Sequence, residues 1–291
     1  MVDKKSLIAL FLCYLLWGFQ PLYWAFIPNV DSFTMLGCRI VMAAVFSVIL
    51  LAASKRLSEL KALFNNKSMM KYLLPAVVFL LGDWAVYLVV INAGHVLDVS
   101  LGYYLNPLIL FASGVVIYKE KCTRIQLFAL CVAAVGVVVS TVAFGSFPLA
   151  SVVIAVDWAL YATLKKNVKL DGIVSIAAET LILTPLAIAF LLLFKRPEMA
   201  ALNGREICFL LGSGIVTALP MFLYSNCVSR LSLIVMCFAQ YLSPTFNLFC
   251  GIIRHESFSP SQLVSFAFFI SAIVIFTVGE MRAAKQKAGG A

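Results

Sequence analysis

The chain has 291 residues, 63% of them hydrophobic and 12% charged, with a mean hydropathy of +1.03, against roughly 25% charged residues in a soluble domain. So much apolar surface excludes a water-soluble globule and directs the chain to a bilayer. The net charge of +9 would suggest nucleic acid in a soluble protein, but Lys and Arg gather in short breaks between apolar runs, which is a topology signal.

With about 20 apolar residues needed to cross a bilayer, charges and turn residues divide the chain into ten expected spans. They cover about residues 6–28, 32–54, 70–92, 97–118, 124–143, 148–165, 172–194, 206–227, 231–253 and 260–281. The first run follows Lys4 and Lys5 and continues through Trp17, Tyr23 and Trp24 to Pro28 without a small-residue cleavage site. It reads as a retained helix, not a signal peptide. Of the eight cysteines, seven fall inside apolar runs and no C-x-x-C pair exists, so they read as small packing residues.

With the N-terminus in the cytoplasm, the inner segments collect 17 of the 22 Lys and Arg, among them Lys55, Arg56, Lys119, Lys165, Lys166 and Arg282. The outer loops hold Lys195, Arg196, Arg205 and Arg254, and Arg39 alone lies within a span. This asymmetry predicts both termini on the cytoplasmic side.

The two halves resemble each other in order. Trp17-Gly18 matches Trp158-Ala159, Asp31 matches Asp171, Arg39 falls opposite Glu179, and Tyr87 falls opposite Tyr224. Tyr104-Leu105-Asn106-Pro107 matches Tyr241-Leu242-Ser243-Pro244, and Glu120 and Gln126 match Glu256 and Gln262. Five spans per half force the second half into the membrane upside down. The expected fold is therefore an all-α membrane protein of ten helices, built as two inverted five-helix repeats around a central cavity, with residues 1–144 and 145–282 as the halves and 283–291 as a cytoplasmic tail. Inverted repeats place a substrate near the midplane and allow alternating access.

The stretch from Asp83-Trp84 to Leu108, the early Trp17-Gly18, and Val216 to Pro220 followed by Gln240-Tyr241-Leu242-Ser243-Pro244 resemble the RarD-type permeases, the chloramphenicol-sensitivity proteins. These belong to the EamA branch of the drug/metabolite transporter superfamily, and the resemblance covers nearly the whole chain. It implies a ten-helix, exporter-like permease of a bacterial inner membrane with a central cavity, among relatives that move amino acids, nucleotide sugars and other metabolites. Where the family pattern has Tyr-Gly-X-X-Arg-Lys, this chain has Tyr161-Ala162-Thr163-Leu164-Lys165-Lys166. After span 9 it has Arg254-His255-Glu256.

Ionisable groups inside spans are costly, so they face a cavity or a partner. Arg39 and Glu179 each lie roughly eight residues, or about 12 Å, down their helices. Either Glu179 binds a proton or a substrate amine while Arg39 binds a carboxylate, or both snorkel or pair structurally. Asp83, close to Trp84 and Tyr87, either holds a cationic or zwitterionic solute through charge and cation–π attraction or anchors a helix. Asp157, beside Trp158 and four residues from Tyr161, either lines a vestibule or pairs with a neighbouring span. The coupling candidates are Arg39, Asp83 and Glu179.

Pro107 and Pro244 each free a backbone carbonyl mid-span, and paired interrupted helices point to a transport site. They and Gly18 are the expected hinges, with Tyr103, Asn106, Gln240 and Tyr241 as polar lining beside Trp17, Gln20, Asp83, Trp84, Tyr87, Trp158 and Tyr161. An intramembrane enzyme would need clustered ligands or a nucleophile with its base. The chain has two histidines, His95 and His255, and no H-E-x-x-H or G-x-S-x-G. Without a G-x-x-x-x-G-K-[ST] loop it is no ATP-driven pump. A single-chain alternating-access layout also differs from the lined, often multi-subunit pores of channels. The expectation is a secondary transporter of a small organic solute, drug or metabolite such as an amino acid, proton-coupled or else a facilitator or exchanger. It would use no cofactor, no metal and no nucleic acid, and would be competent as a monomer.

Overall fold

A computed structural model describes residues 4–92, 96–145, 149–253 and 259–289, which are helical with no strand among them. His95, His255, Arg254 and Glu256 lie outside the described residues. The helices are α1 (Lys4–Trp24), α2 (Ser32–Ala53), α3 (Leu57–Asn65), α4 (Lys67–Asn92), α5 (Val96–Val116), α6 (Arg124–Phe144), α7 (Leu149–Lys165), α8 (Gly172–Phe194), α9 (Arg196–Ala200), α10 (Gly204–Val228), α11 (Leu233–Gln240), α12 (Leu242–Ile253) and α13 (Pro260–Gly289). Among the described residues seven of them, α1, α2, α4, α6, α8, α10 and α13, are long and apolar enough to cross a membrane.

The short helix α3 falls in a stretch read from sequence as a polar break. It turns Leu60 and Leu63 inward and leaves Glu59 and Lys61 exposed, an amphipathic pattern too short to register as a span. The apolar run at 231–253 is not one helix either. It breaks between Gln240 and Leu242 into α11 and α12, because Pro244 cannot donate to the Gln240 carbonyl four residues earlier and its ring crowds that group. α5 runs through Pro107 without a break, so the two matched prolines differ in outcome.

Helices α2 and α8 pack antiparallel and are tied at both ends. Asp31 caps α2 by accepting from the Phe33 and Thr34 N–H groups at 3.0 and 2.9 Å, and it pairs with Lys195, just past the end of α8, at 3.1 Å. Asp171 caps α8 by accepting from the Ile173 N–H at 3.1 Å and pairs with Arg56, past the end of α2, at 3.2 Å. Arg56 and Lys195 each make a second pair three residues on, with Glu59 and Glu198. α6 and α13 likewise pack together, each opened by a reciprocal cap, Thr123 with Gln126 and Ser259 with Gln262.

These ties define two ends of the fold. The Asp31 end holds the α1–α2 turn, and the Glu120 end holds the start of α1 and the C-terminal part of α13, where Gln126 donates to Glu280 at 2.7 Å. Between them the core is continuous from α1, α2 and α4 to α7, α8, α10 and α11.

Candidate functional site: a central cavity

Helices α1, α2, α4, α5, α7, α10, α11 and α12 surround a cavity of about 340 Å³. Its wall reaches Trp24 at the end of α1 and Ser32 at the start of α2, so it extends toward the Asp31 end. At its other extreme it stops on Tyr14, Trp17 and Trp158.

That floor is aromatic. Trp17 and Trp158 meet edge to face with centroids 5.3 Å apart, Tyr224 lies 5.5 Å from Trp17 and 5.3 Å from Trp158, and Tyr161 stacks on Tyr224 at 6.2 Å. Offset and edge-on contacts of this kind favour a rigid ring cluster. Small residues let the helices approach. A Cβ on Gly18 would collide with Phe246 and one on Gly214 with the Met42 backbone, so Gly18 is a close-packing residue of α1 against α12.

The walls carry charge. The Arg39 guanidinium lies over the Trp84 ring at 4.4 Å from its centroid. Asp83, one residue before Trp84, is 3% exposed, yet among the described residues no ion pair joins it to Arg39. Among the described residues Arg39 Nε, Asp83 Oδ1, Thr217 Oγ1, Gln240 Oε1 and the Tyr14 hydroxyl are buried without a hydrogen-bond partner, and all five residues line the cavity. Buried polar atoms are almost always paired, so five such atoms converging on one space mark it as built for polar contents.

Of the residues expected from sequence, Trp17, Gln20, Arg39, Asp83, Trp84, Tyr87, Tyr103, Trp158, Gln240 and Pro244 line this cavity. Asn106, Tyr161 and Tyr241 do not. Asn106 is fully buried with both amide atoms unpartnered among the described residues, and Tyr241 stacks on Phe269 at 5.0 Å in a separate cluster. Tyr161 donates from its hydroxyl to Glu179 at 3.0 Å.

Glu179 also lies outside the lining. It is fully buried, paired with Lys165 and accepting from the Ser175 hydroxyl at 3.1 Å. Lys165, read from sequence as a loop charge, is 1% exposed. The sequence pattern counts it at a span end, but its side chain reaches from the end of α7 to Glu179 of α8 and is buried along its whole length. Asp157 is half-buried and faces Gly82 of α4, where a Cβ would meet its Oδ2 at 2.9 Å.

Sequence reading missed Tyr14, Pro21, Trp24, Ser32, Met35, Leu36, Leu88, Thr217, Met221 and Ser243 as lining residues. Thr217 sits inside the Val216–Pro220 motif, and Ser243 and Trp24 adjoin residues already singled out. The apolar members carry no signal that distinguishes a cavity face from a packed one.

The sequence model of the EamA-like transporter family matches residues 4–142 and again 147–278. An uncharacterized transporter of Bacillus subtilis, YojE, is 32% identical over 96% of this chain and 95% of its own length. The RarD protein of Streptomyces exfoliatus is 29% identical over 98% and 91%, and that of Escherichia coli 27% over 94% of each. A protein of known crystal structure, 14% identical, shares the fold with a TM-score of 0.70 over 97% of this chain and 99% of that one.

Proposed function

The chain belongs to the EamA-like transporter family, a multi-pass membrane transporter, and from that premise we propose that it is a secondary transporter exporting a small organic solute by alternating access. One observation carries the reading. Among the described residues a basic and an acidic side chain, Arg39 and Asp83, are held in one cavity without pairing, among further unpartnered polar atoms and aromatic rings. A charge pair left open in this way suits a zwitterion or other bifunctional solute, an amino acid for example, whose carboxylate meets Arg39 and whose ammonium meets Asp83.

The layout we assign is ten spans in two inverted halves, residues 1–144 and 145–282, followed by the tail 283–291. The crossed ties Asp31–Lys195 and Asp171–Arg56, the matched caps of α6 and α13 and the meeting of Trp17 with Trp158 support that two-fold relation. α5, α7 and the α11–α12 pair supply the three spans beyond the seven long helices. The excess of Lys and Arg at the Glu120 end assigns both termini to the cytoplasm, which makes the cavity outward-open. Asp83 is the proton-coupling candidate, being the buried carboxylate that faces the cavity. The reading includes no catalytic step, cofactor or metal, and a single chain suffices.

The test is counterflow of a radiolabelled amino-acid mixture in proteoliposomes, paired with a metabolite and drug export screen in null and overexpressing cells. Flux saturating with solute and lost in both Arg39→Gln and Asp83→Asn supports the reading. Single-channel conductance steps, or turnover of a lipid or peptide without flux, would overturn it. An imposed pH gradient that leaves the flux unchanged assigns facilitation or exchange in place of proton coupling.

A further inference from the structure

Among the described residues, one ion pair is wholly buried. Lys165 and Glu179 are 1% and 0% exposed, whereas the partners in every other pair keep appreciable exposure. Glu179 is further held by the Tyr161 and Ser175 hydroxyls, and the Lys165 ammonium lies 5.3 Å from the Tyr161 ring centroid. The pair stands under the aromatic floor of the cavity, where Tyr161 belongs to both. Seven residues of helix, about 10 Å, separate Lys165 from Trp158 in the floor.

Beyond it, at the Glu120 end, the last turn of α7 is clasped from outside. The Tyr118 hydroxyl donates to the Thr163 carbonyl at 2.6 Å, Lys166 pairs with Glu120 at 3.3 Å, and Glu120 accepts from the Leu233 and Ile234 N–H groups at 2.9 and 3.1 Å.

Buried ion pairs are poor permanent seals, because well-packed apolar residues in their place stabilise as well or better. They differ from apolar residues in what happens on opening. Two ions that part into water regain their hydration, so the closed and open arrangements stay close in free energy. Exposing apolar groups by the same movement costs free energy in proportion to area. A charged seal is thus a reversible one.

The register of the two halves points the same way. Lys165 stands seven residues past Trp158 as Trp24 stands seven past Trp17, and Glu179 stands eight past Asp171 as Arg39 stands eight past Asp31. At the Asp31 end these counterparts, Trp24 and Arg39, both line the open cavity, and Arg39 rests on Trp84 instead. We propose that Lys165 and Glu179 form the latch that closes the transport path at the Glu120 end, and that in the opposite state they part while Arg39 crosses from Trp84 to Trp24 to close the Asp31 end. The inference rests on the transport reading above.

The experiment uses the full chain in membrane vesicles, with the exposed Cys122, Cys131 and Cys208 changed to serine. Cys13, buried beside Tyr14 in α1, is the reporter. A water-soluble methanethiosulfonate applied from the Glu120 side modifies Cys13 at a rate read by peptide mass. Glu179→Gln leaves Lys165 unpaired in the closed state, and modification is expected at least tenfold faster. The double variant Lys165→Met/Glu179→Leu keeps an apolar seal. It is expected to hold its thermal midpoint and to modify no faster than wild type, while counterflow of the amino-acid mixture falls at least tenfold. Unchanged Cys13 modification in Glu179→Gln, or counterflow within twofold of wild type in the folded double variant, overturns the latch. Should Glu179→Gln not purify as a monodisperse protein, the double variant decides. Wild-type protein that moves no solute strikes the transport reading, and the Cys13 rates still judge the latch.

Discussion

Arg39 and Glu179 lie at equivalent depth in two antiparallel helices, and their surroundings are opposite. Glu179 is sealed by a lysine, a tyrosine and a serine. Arg39 has no carboxylate partner among the described residues and lies in an open space on a tryptophan. The helix ends around them are matched, for Asp31 with Lys195 and Asp171 with Arg56 repeat one device at both ends. The difference therefore does not come from unlike scaffolds. It comes from how far the surrounding helices stand apart at each end. Toward the Asp31 end α1, α2, α4 and α10 leave the space that Arg39 lines, whereas beyond the floor Tyr118, Glu120 and Lys166 clasp the end of α7 to the start of α11. Matched frames with unmatched gaps are what the proposed alternating-access reading expects of one of its two states.

The comparison breaks most severely at the floor that divides the ends. Trp158→Ala removes a ring that touches Trp17, Tyr161 and Tyr224, and a loss of about 3 kcal/mol is expected, read as a lower thermal midpoint in detergent. An undiminished midpoint would mean that the floor is not a packed partition.

A smaller effect, confined to function, is expected on the open side. Arg39→Gln and Asp83→Asn should each lower counterflow about 30-fold, because a charge-assisted contact to the solute is worth roughly 2 kcal/mol. Their thermal midpoints should stay near wild type, since neither residue has a charged partner to orphan. A midpoint drop without a flux change would make both residues structural.

The matched ties come next. Asp31→Ala and Asp171→Ala each remove a helix cap and an ion pair, and each should cost about 1 kcal/mol, equal within a few tenths. Strongly unequal costs would show that the two ends are not equivalent frames. The smallest effect is on pH. Burial works against the Asp31 carboxylate, but hydrogen bonds from the Thr34 N–H, Lys195 and the Phe33 N–H outweigh it and hold its pKa below the usual carboxylate range. A depressed folded pKa means the stabilisation is present above the unfolded value of about 3.9 and is lost as pH falls through the folded one. The midpoint of the wild type should therefore approach that of Asp31→Ala below about pH 4, which a thermal series from pH 7 to 3 checks.

Helix existence was legible because a bilayer demands long apolar runs, and the expected spans fall on the helices with shifts of a few residues. The exceptions are local. α3 is too short and too polar on one face to count as a span, and the break at Tyr241 depends on how Pro244 meets the Gln240 carbonyl, while Pro107 leaves α5 intact. The family was legible as well, through Trp17-Gly18, the Asp83–Leu108 stretch and Gln240–Pro244.

For the site, sequence by itself determined which polar and aromatic residues lie within apolar helices. Those must face protein or a cavity, since lipid offers no hydrogen bonds, and most of them do line the cavity. It could not determine which face one another. Lys165 reads as a topology charge and Glu179 as a coupling acid until the fold brings their side chains together from α7 and α8, whereupon each becomes the other's partner. Tyr14 and Thr217 carry no signal of their own until α1 and α10 frame the cavity that both line. Periodicity and composition report the environment averaged over a helix face. The pairing of charges, and the separation of Arg39 from Asp83, depend on distances between helices far apart in the chain, which only the tertiary structure decided.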